Sequence, residues 1–309
     1  MSENENGKKQ VKIRRSPKSV FKKCVSYPLQ LVALVPVCLF FRLLPLPVAS
    51  AVGGFLGRLI GPKVKESWAA RYNLMRAFPD KTPKEIDKIV IDMWDNIGRT
   101  FLEYPHLRNI VTKKQYLTEI VNVDRAWALK NDGKAGILFS GHFGNWETSS
   151  VLGNIIDLPL HRVYRYANNP FTEWLFRYYR AKTDGELIPK TLTSMRIMVE
   201  KIRKKEHLAL KFDIPVLPVR IQRLKGAHYR LTCEEFLKFE KTGDKEADIY
   251  AALCQMNATF ERWIKDDPAQ WLWVHKRWPD SKEGAKWLYA HRKEWKKGKI
   301  PAPIPAELN

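Results

Sequence analysis

The histidine best placed for chemistry is His142, in Ile137-Leu-Phe-Ser-Gly-His-Phe-Gly-Asn-Trp-Glu147, with an acid five residues on. An imidazole beside a carboxylate is the pairing a general base uses: the acid orients the ring and stabilises it once it has taken a proton. Spacing alone decides nothing, because seven histidines and 33 acids in 309 residues give roughly 0.75 such pairs by chance. The setting carries the argument. Ile137, Leu138 and Phe139 predict a strand buried on both faces, Gly141 and Gly144 permit a tight turn, and Trp146 opens a helix. His275 and Asp280 share the five-residue separation, but no glycine turn surrounds them and Pro279 stiffens the approach to the acid. That stretch, Trp273 to Pro279, reads as an interfacial basic-aromatic segment. No Gly-x-Ser-x-Gly elbow occurs, which leaves a covalent serine mechanism with weak support.

The elements that must position His142 alternate. Strands are predicted at 137–139, 158–165, 186–189, 207–213, 214–220 and 228–233, with helices from Trp146, over 171–182 and over 194–205. This rhythm predicts an α/β fold with a mostly parallel central sheet flanked by helices, and ligands beyond the strands' C-terminal ends, where His142 sits. Arg165 follows a strand and Arg180 ends a helix in the same layer, which makes both candidates to hold an anionic group at the site. Nothing separates the strands at 207–213 and 214–220, although adjacent parallel strands need a crossover of about a dozen residues. They form one bent strand, or a segment is missing near 213–214. Ahead of the sheet, 65–107 is helical, and Thr82-Pro-Lys-Glu85 predicts a capping box with proline at the first helical position. An amphipathic helix is predicted over 245–265 and a membrane-interface role for the Trp- and Lys-rich C-terminal region.

Fifty-four Lys and Arg against 33 Asp and Glu give a net charge of +21, which suits anionic partners. No nucleic-acid-binding motif accompanies the charge, so no nucleic acid is expected. Residues 1–23 form a basic tail. Val25 to Phe41 then runs for seventeen residues without a charge, marginal for a span that needs about 20 apolar residues. A second uncharged stretch, 43–56, is broken by Pro45, Pro47 and Gly53-Gly54. An N-terminal membrane-associated helix over 24–62, inserted as a hairpin or from one side, keeps both cationic flanks in the cytosol. No small-residue cleavage site follows the first apolar run, which argues against a signal peptide. Residues 63–300 form the main domain and 301–309 a tail. Four dispersed cysteines without a CxxC pair predict neither a zinc site nor a disulfide framework.

At Gly141-His-Phe-Gly-Asn-Trp-Glu147 the chain resembles the lipid A biosynthesis lauroyl and myristoyl acyltransferases, within the lysophospholipid acyltransferase-like superfamily. Further matching phrases are Arg71-Tyr-Asn-Leu74, Val163-Tyr-Arg165 with Asn169-Pro170, Arg180 before Gly185, Pro215-Val-Leu-Pro-Val-Arg220 and Trp271-Leu-Trp-Val-His-Lys-Arg-Trp-Pro279. The resemblance implies an enzyme of the bacterial inner membrane, catalytic domain facing the cytoplasm, with acyl carrier protein as acyl donor, an anionic lipid acceptor and no cofactor. It implies catalytic roles for His142, Glu147 and Arg180, and substrate contacts from Arg165, Asn145, Asn169 and Asp213. The departure lies at 208–215, where the family carries a crossover and a helix that this chain lacks. Two alternatives stand beside this reading: a catalytically impaired membrane-associated paralogue, suggested by that departure, and a glycerolipid acyltransferase, which differs only in its acceptor.

Overall fold

The computed structural model describes residues 25–113, 116–164, 167–180, 185–189, 200, 215–240, 242–275 and 277–301. Two N-terminal helices come first: α1 (Tyr27–Leu43) and α2 (Leu46–Ile60), with Leu44 and Pro45 between them. Among the described residues no helix is long and apolar enough to cross a membrane. The Gly53-Gly54 pair, expected to break the second apolar stretch, lies inside α2. A Cβ on Gly53 would sit 2.3 Å from the Gly98 carbonyl oxygen. The glycines therefore serve close approach to a neighbouring helix, a use that local propensity does not reveal.

That neighbour is α4 (Pro83–Glu103), the longest of the helices ahead of the sheet, capped at Thr82 by the predicted box: Glu85 N–H donates to the Thr82 hydroxyl and the Thr82 N–H to the Glu85 carboxylate. Its apolar stripe of Ile86, Val90, Met93 and Ile97 packs against α3 (Glu66–Ala77). Helix α3 is enclosed: Tyr72, Asn73 and Met75 are all buried. A short α5 (Leu107–Lys113) leads to the sheet.

Four strands form the main sheet in the order β1 (Leu117–Val121), β6 (Tyr229–Cys233), β5 (Val216–Arg223), β2 (Ile137–Phe139). The outer pairs β1–β6 and β2–β5 are parallel, and β5–β6 is antiparallel, so the sheet is mostly parallel. Strand β1 was not expected from the sequence; Glu119 and Ile120 face solvent there, which hides the alternation of a buried strand. Helices α6 (Val123–Asn131) and α7 (Val151–Ile156) pack on it through Ala126, Leu129, Leu152 and Ile156.

The expected strands at 158–165 and 186–189 appear as β3 (Arg162–Tyr164) and β4 (Leu187–Pro189), with α8 (Pro170–Arg180) between them. They pair in parallel as a separate two-stranded sheet. The helix expected over 194–205 and the strand over 207–213 lie outside the described residues but for residue 200.

The chain closes with α9 (Lys245–Asp266), α10 (Ser281–Ala290) and α11 (Arg292–Lys296). The C-terminal tryptophans correct the interface reading. Trp273 and Trp295 are buried with Tyr72, Met93 and Leu288 in the helical core. Asn73 donates to the carbonyls of Trp273 and His275, both at 2.7 Å, which fixes the backbone of 273–275 against α3.

Candidate functional site

Strand β2 ends at Phe139, and the next residues turn sharply. Gly144 has φ +52°, a left-handed conformation, and a Cβ there would lie 3.0 Å from the Ile221 carbonyl oxygen and 3.1 Å from both Arg223 N and Gln270 Oε1. Only glycine enters that conformation without strain. Gly141 serves closeness instead: its Cβ would lie 2.6 Å from the Phe260 ring. Phe143, between them, is buried against Phe260, Trp263 and Trp271 and anchors the turn. The helix expected from Trp146 begins as a 3-10 turn (Trp146–Ser150) before α7.

The underside of the turn is held by a polar cluster that sequence reasoning missed. Glu103, at the end of α4, is 0% exposed. It accepts from Arg223 Nη1 at 2.5 Å and Nη2 at 3.0 Å, from Asn145 Nδ2 at 2.8 Å and from the Tyr229 hydroxyl. Arg223 also donates to Asn96 at 2.8 Å and Thr100 at 3.1 Å. Asn96 and Thr100 in turn donate to the Gly144 carbonyl at 3.0 and 3.3 Å. Burial alone would raise the Glu103 carboxyl, but the charge and hydrogen bonds of Arg223 and the Tyr229 hydroxyl outweigh it and hold it below its ordinary value. Glu103 is therefore an anion in the core, neutralised by Arg223. From the other side Gly144 N donates to Gln270 O at 3.3 Å, and the Gln270 side chain exchanges two hydrogen bonds with the Arg223 backbone.

His142 projects from this clamped turn as an exposed residue whose ring is partly enclosed by its surroundings. Its ring lies 5.2 Å from Trp146 and 5.8 Å from His275, centroid to centroid. Desolvation by burial, then the charge of His275, push His142 below its ordinary value, while Glu147 pushes it back up. That direction favours the neutral imidazole, the form a general base requires. His275, set aside on sequence as part of an interfacial segment, instead stands beside His142. Its spacing to Asp280 carried no information, and Asp280 is engaged by Tyr72 and Arg76.

Glu147 departs from the expected arrangement. Its buried carboxylate receives Arg180 Nε at 2.8 Å and an Nη2 bond on the other oxygen, a two-pronged ion pair. It acts on His142 through its charge, with no hydrogen bond between the two among the described contacts. Arg180, at the last turn of α8, lies 5.9 Å over the Tyr104 ring and 5.8 Å over Phe176, and its guanidinium is held firmly in the charged state by Glu147. Burial followed by the Glu147 charge raises the Tyr104 hydroxyl, and it stays protonated beside the ion pair. Arg162 joins the same group. Burial is the first influence lowering its guanidinium, and its Nη2 donates to the Arg180 carbonyl at 3.4 Å.

The residues expected to touch substrate separate. Asn145 is buried and spends its amide on Glu103, which makes it a support of the turn. Asn169 is buried too: Oδ1 accepts from Phe171 N at 2.9 Å at the start of α8, and Nδ2 donates to Tyr27 O and Gln30 Oε1 of α1. It joins two helices and presents no open surface. Arg165 and Asp213 lie outside the described residues. Among the described residues no group of three or more His, Cys, Asp or Glu side chains gathers to hold a metal ion.

A family model for bacterial lipid A biosynthesis acyltransferases matches residues 19–210 and 205–280. The lipid A biosynthesis palmitoleoyltransferase of Escherichia coli (strain K12) is 25% identical over 290 residues, covering 80% of this chain and 90% of that protein. The lipid A biosynthesis acyltransferase of Shigella flexneri shows the same identity and coverage.

Proposed function

The chain belongs to the bacterial lipid A biosynthesis acyltransferase family, and on that premise we propose that it moves a fatty acyl chain from acyl-acyl-carrier protein to a hydroxyl of a lipid A precursor, with His142 as general base. The observation that carries this reading is the exposed His142 fixed at the exit of β2 by the clamped turn, in the field of the buried Glu147–Arg180 ion pair. The relatives' names speak of acyl transfer in lipid A biosynthesis. A thioester is reactive enough to need no protein nucleophile, and the remaining requirements are a base and a stabiliser for the oxyanion.

In this reading a ring nitrogen of His142 takes the acceptor's hydroxyl proton as the oxygen attacks the thioester carbonyl. A C–O bond forms and negative charge collects on the former carbonyl oxygen. Collapse of this intermediate breaks the C–S bond, and the imidazolium returns its proton to the leaving thiolate, so the products are an ester and a free thiol. Arg180, its plane set by both Glu147 oxygens, supplies a fixed cation for the oxyanion or for a lipid phosphate. Glu147 compensates the imidazolium through space in place of a direct hydrogen bond. The +21 charge suits an acidic donor protein and an anionic lipid. Placement at the inner membrane, facing the cytoplasm, is part of this reading, and the apolar α1 supports it.

Purified protein with a matched acyl-carrier-protein donor and a tetraacylated lipid A precursor tests it. His142→Ala should lower transfer by about 10²-fold or more, the usual loss of a general base. Near-normal turnover in the variant would remove His142 from the mechanism, and no turnover by the intact protein would favour an impaired paralogue.

A further inference from the structure

Helices α1 and α8 run side by side in the same direction. Near their N-terminal ends Asn169 donates to Tyr27 O at 3.2 Å and to Gln30 Oε1 at 3.0 Å; toward the other ends Cys38 and Tyr179 are hydrogen bonded. Each turns one side toward the domain, α1 with Tyr27 buried and α8 through Leu175 and through Phe176 and Tyr179 on Tyr104. Each also leaves large apolar side chains outward. On α8 these are Phe171, Trp174 at 60% exposure and Tyr178 at 62%, spaced three and four residues apart along one stripe. Trp174 and Tyr178 stack with centroids 6.3 Å apart. On α1 Leu29, Val32 and Phe40 are among the outward residues. Contiguous exposed apolar surface of this kind marks an interaction site.

We propose that the outward faces of α1 and α8 form one bilayer-contacting surface, in which Trp174 and Tyr178 seat α8 at the depth of the lipid headgroups. The proposal rests on the reading that the acceptor is a membrane lipid and extends it from α1 to the helix that carries Arg180. Charge distribution selects lipid over a protein partner. The stretch Val25 to Phe41 has no charge and is bracketed by Lys22, Lys23 and Arg42. On α8 the aromatic rings flank an exposed Arg177, the ring-and-cation mixture that settles at the headgroup level. Arg180 follows Tyr178 by two residues and grips Glu147. Seating α8 on the bilayer therefore sets the reactive turn at headgroup depth, where a hydroxyl of a membrane lipid reaches His142 without leaving the bilayer.

The test uses the full chain and vesicles of phosphatidylethanolamine and phosphatidylglycerol, and needs no turnover, so its failure is distinct from failure of the acyl-transfer reading. Hydroxyl-radical footprinting read by mass spectrometry should show Trp174 and Tyr178 protected several-fold on vesicle addition, with Trp127 on α6 labelled as before. In flotation, Trp174→Glu/Tyr178→Glu should lower vesicle partitioning at least tenfold while Trp127→Glu leaves it within twofold. Unchanged labelling of Trp174 and Tyr178 on protein that does float would overturn the proposal by leaving α1 as sole contact. Protection that appears without vesicles and grows with protein concentration would overturn it in favour of a second copy of the chain.

Discussion

Glu103→Gln tests whether the reactive turn is carried by a buried charge. The substitution keeps side-chain volume and one accepting oxygen but removes the charge beneath Arg223, which is itself almost wholly buried. Four hydrogen bonds converge on the Glu103 oxygens, from Arg223 twice, Asn145 and Tyr229. A glutamine can accept at only one position and turns an NH2 toward a donor at the other. Removing one partner of a buried pair costs about 3–5 kcal/mol, because the other charge stays in the core uncompensated. Against a domain stability of about 5–15 kcal/mol this is a large fraction. Urea unfolding followed by circular dichroism should show the unfolding free energy falling by that amount, read as a lower midpoint with the slope unchanged. In a cycle with Arg223→Met, the double variant should lose less than the sum of the singles by about 0.5–3 kcal/mol, since the second substitution removes a charge the first has stranded. A Glu103→Gln cost below about 1 kcal/mol, or singles that add within about 0.5 kcal/mol, would refute the idea that this pair holds the turn.

Three further outcomes follow from the same geometry. Gly144→Ala forces a Cβ into the left-handed region and against the Ile221 carbonyl; it should cost about 1–2 kcal/mol or more in unfolding measurements and lower kcat, whereas a neutral result would mean the turn relaxes freely. Arg180→Lys cannot reach both Glu147 oxygens and gives up a charge-assisted bond of about 1.5–3 kcal/mol, so kcat/KM should fall about tenfold or more; full activity would show that a point charge suffices. The kcat/KM profile should lose activity as pH falls through a value below the ordinary imidazole pKa of about 6.5, because the base must be neutral; His275→Gln removes a like charge and should move that limb upward, and a limb that stays or moves down would exclude His275 as an influence.

What the sequence revealed was local. The β2 strand, the glycine turn at Gly144 and the Thr82 capping box depend on residues within a few positions of one another, and all three are present. Glu103 was invisible for the opposite reason. An acid at the end of an amphipathic helix reads as a solvated charge, and the arginine that buries it comes from 120 positions away, across the sheet. His275 shows the complementary failure, since its near neighbour in sequence, Asp280, is occupied elsewhere, while the ring it faces belongs to a distant strand exit. Asn145 and Asn169 lie in motif phrases with a functional look, yet both fill buried joints, and only their hydrogen-bond partners show it.

The turn thus stands between two carboxylate–arginine pairs with different consequences. Glu103–Arg223 lies beneath Gly144, sealed from solvent, and fixes where the backbone goes. Glu147–Arg180 lies at the rim, and its effect is electrostatic: an acid already bound by a guanidinium attracts a proton to His142 less strongly than a free acid would. In a hydrolase triad the carboxylate holds the imidazole and stabilises its charged form. Here the carboxylate holds an arginine, while burial and His275 favour the neutral imidazole, so in the proposed mechanism the permanent cation is the guanidinium. For the proposed thioester donor that division is workable, because the difficult charge is the oxyanion and not the nucleophile, and in that proposal a fixed guanidinium answers the former without waiting for a proton. That cation also lies at the end of α8, so its position depends on the helix whose outer face carries Trp174 and Tyr178. In the proposed membrane-bound state, the stabiliser of the transition state and the contact with the substrate's own phase belong to one rigid element.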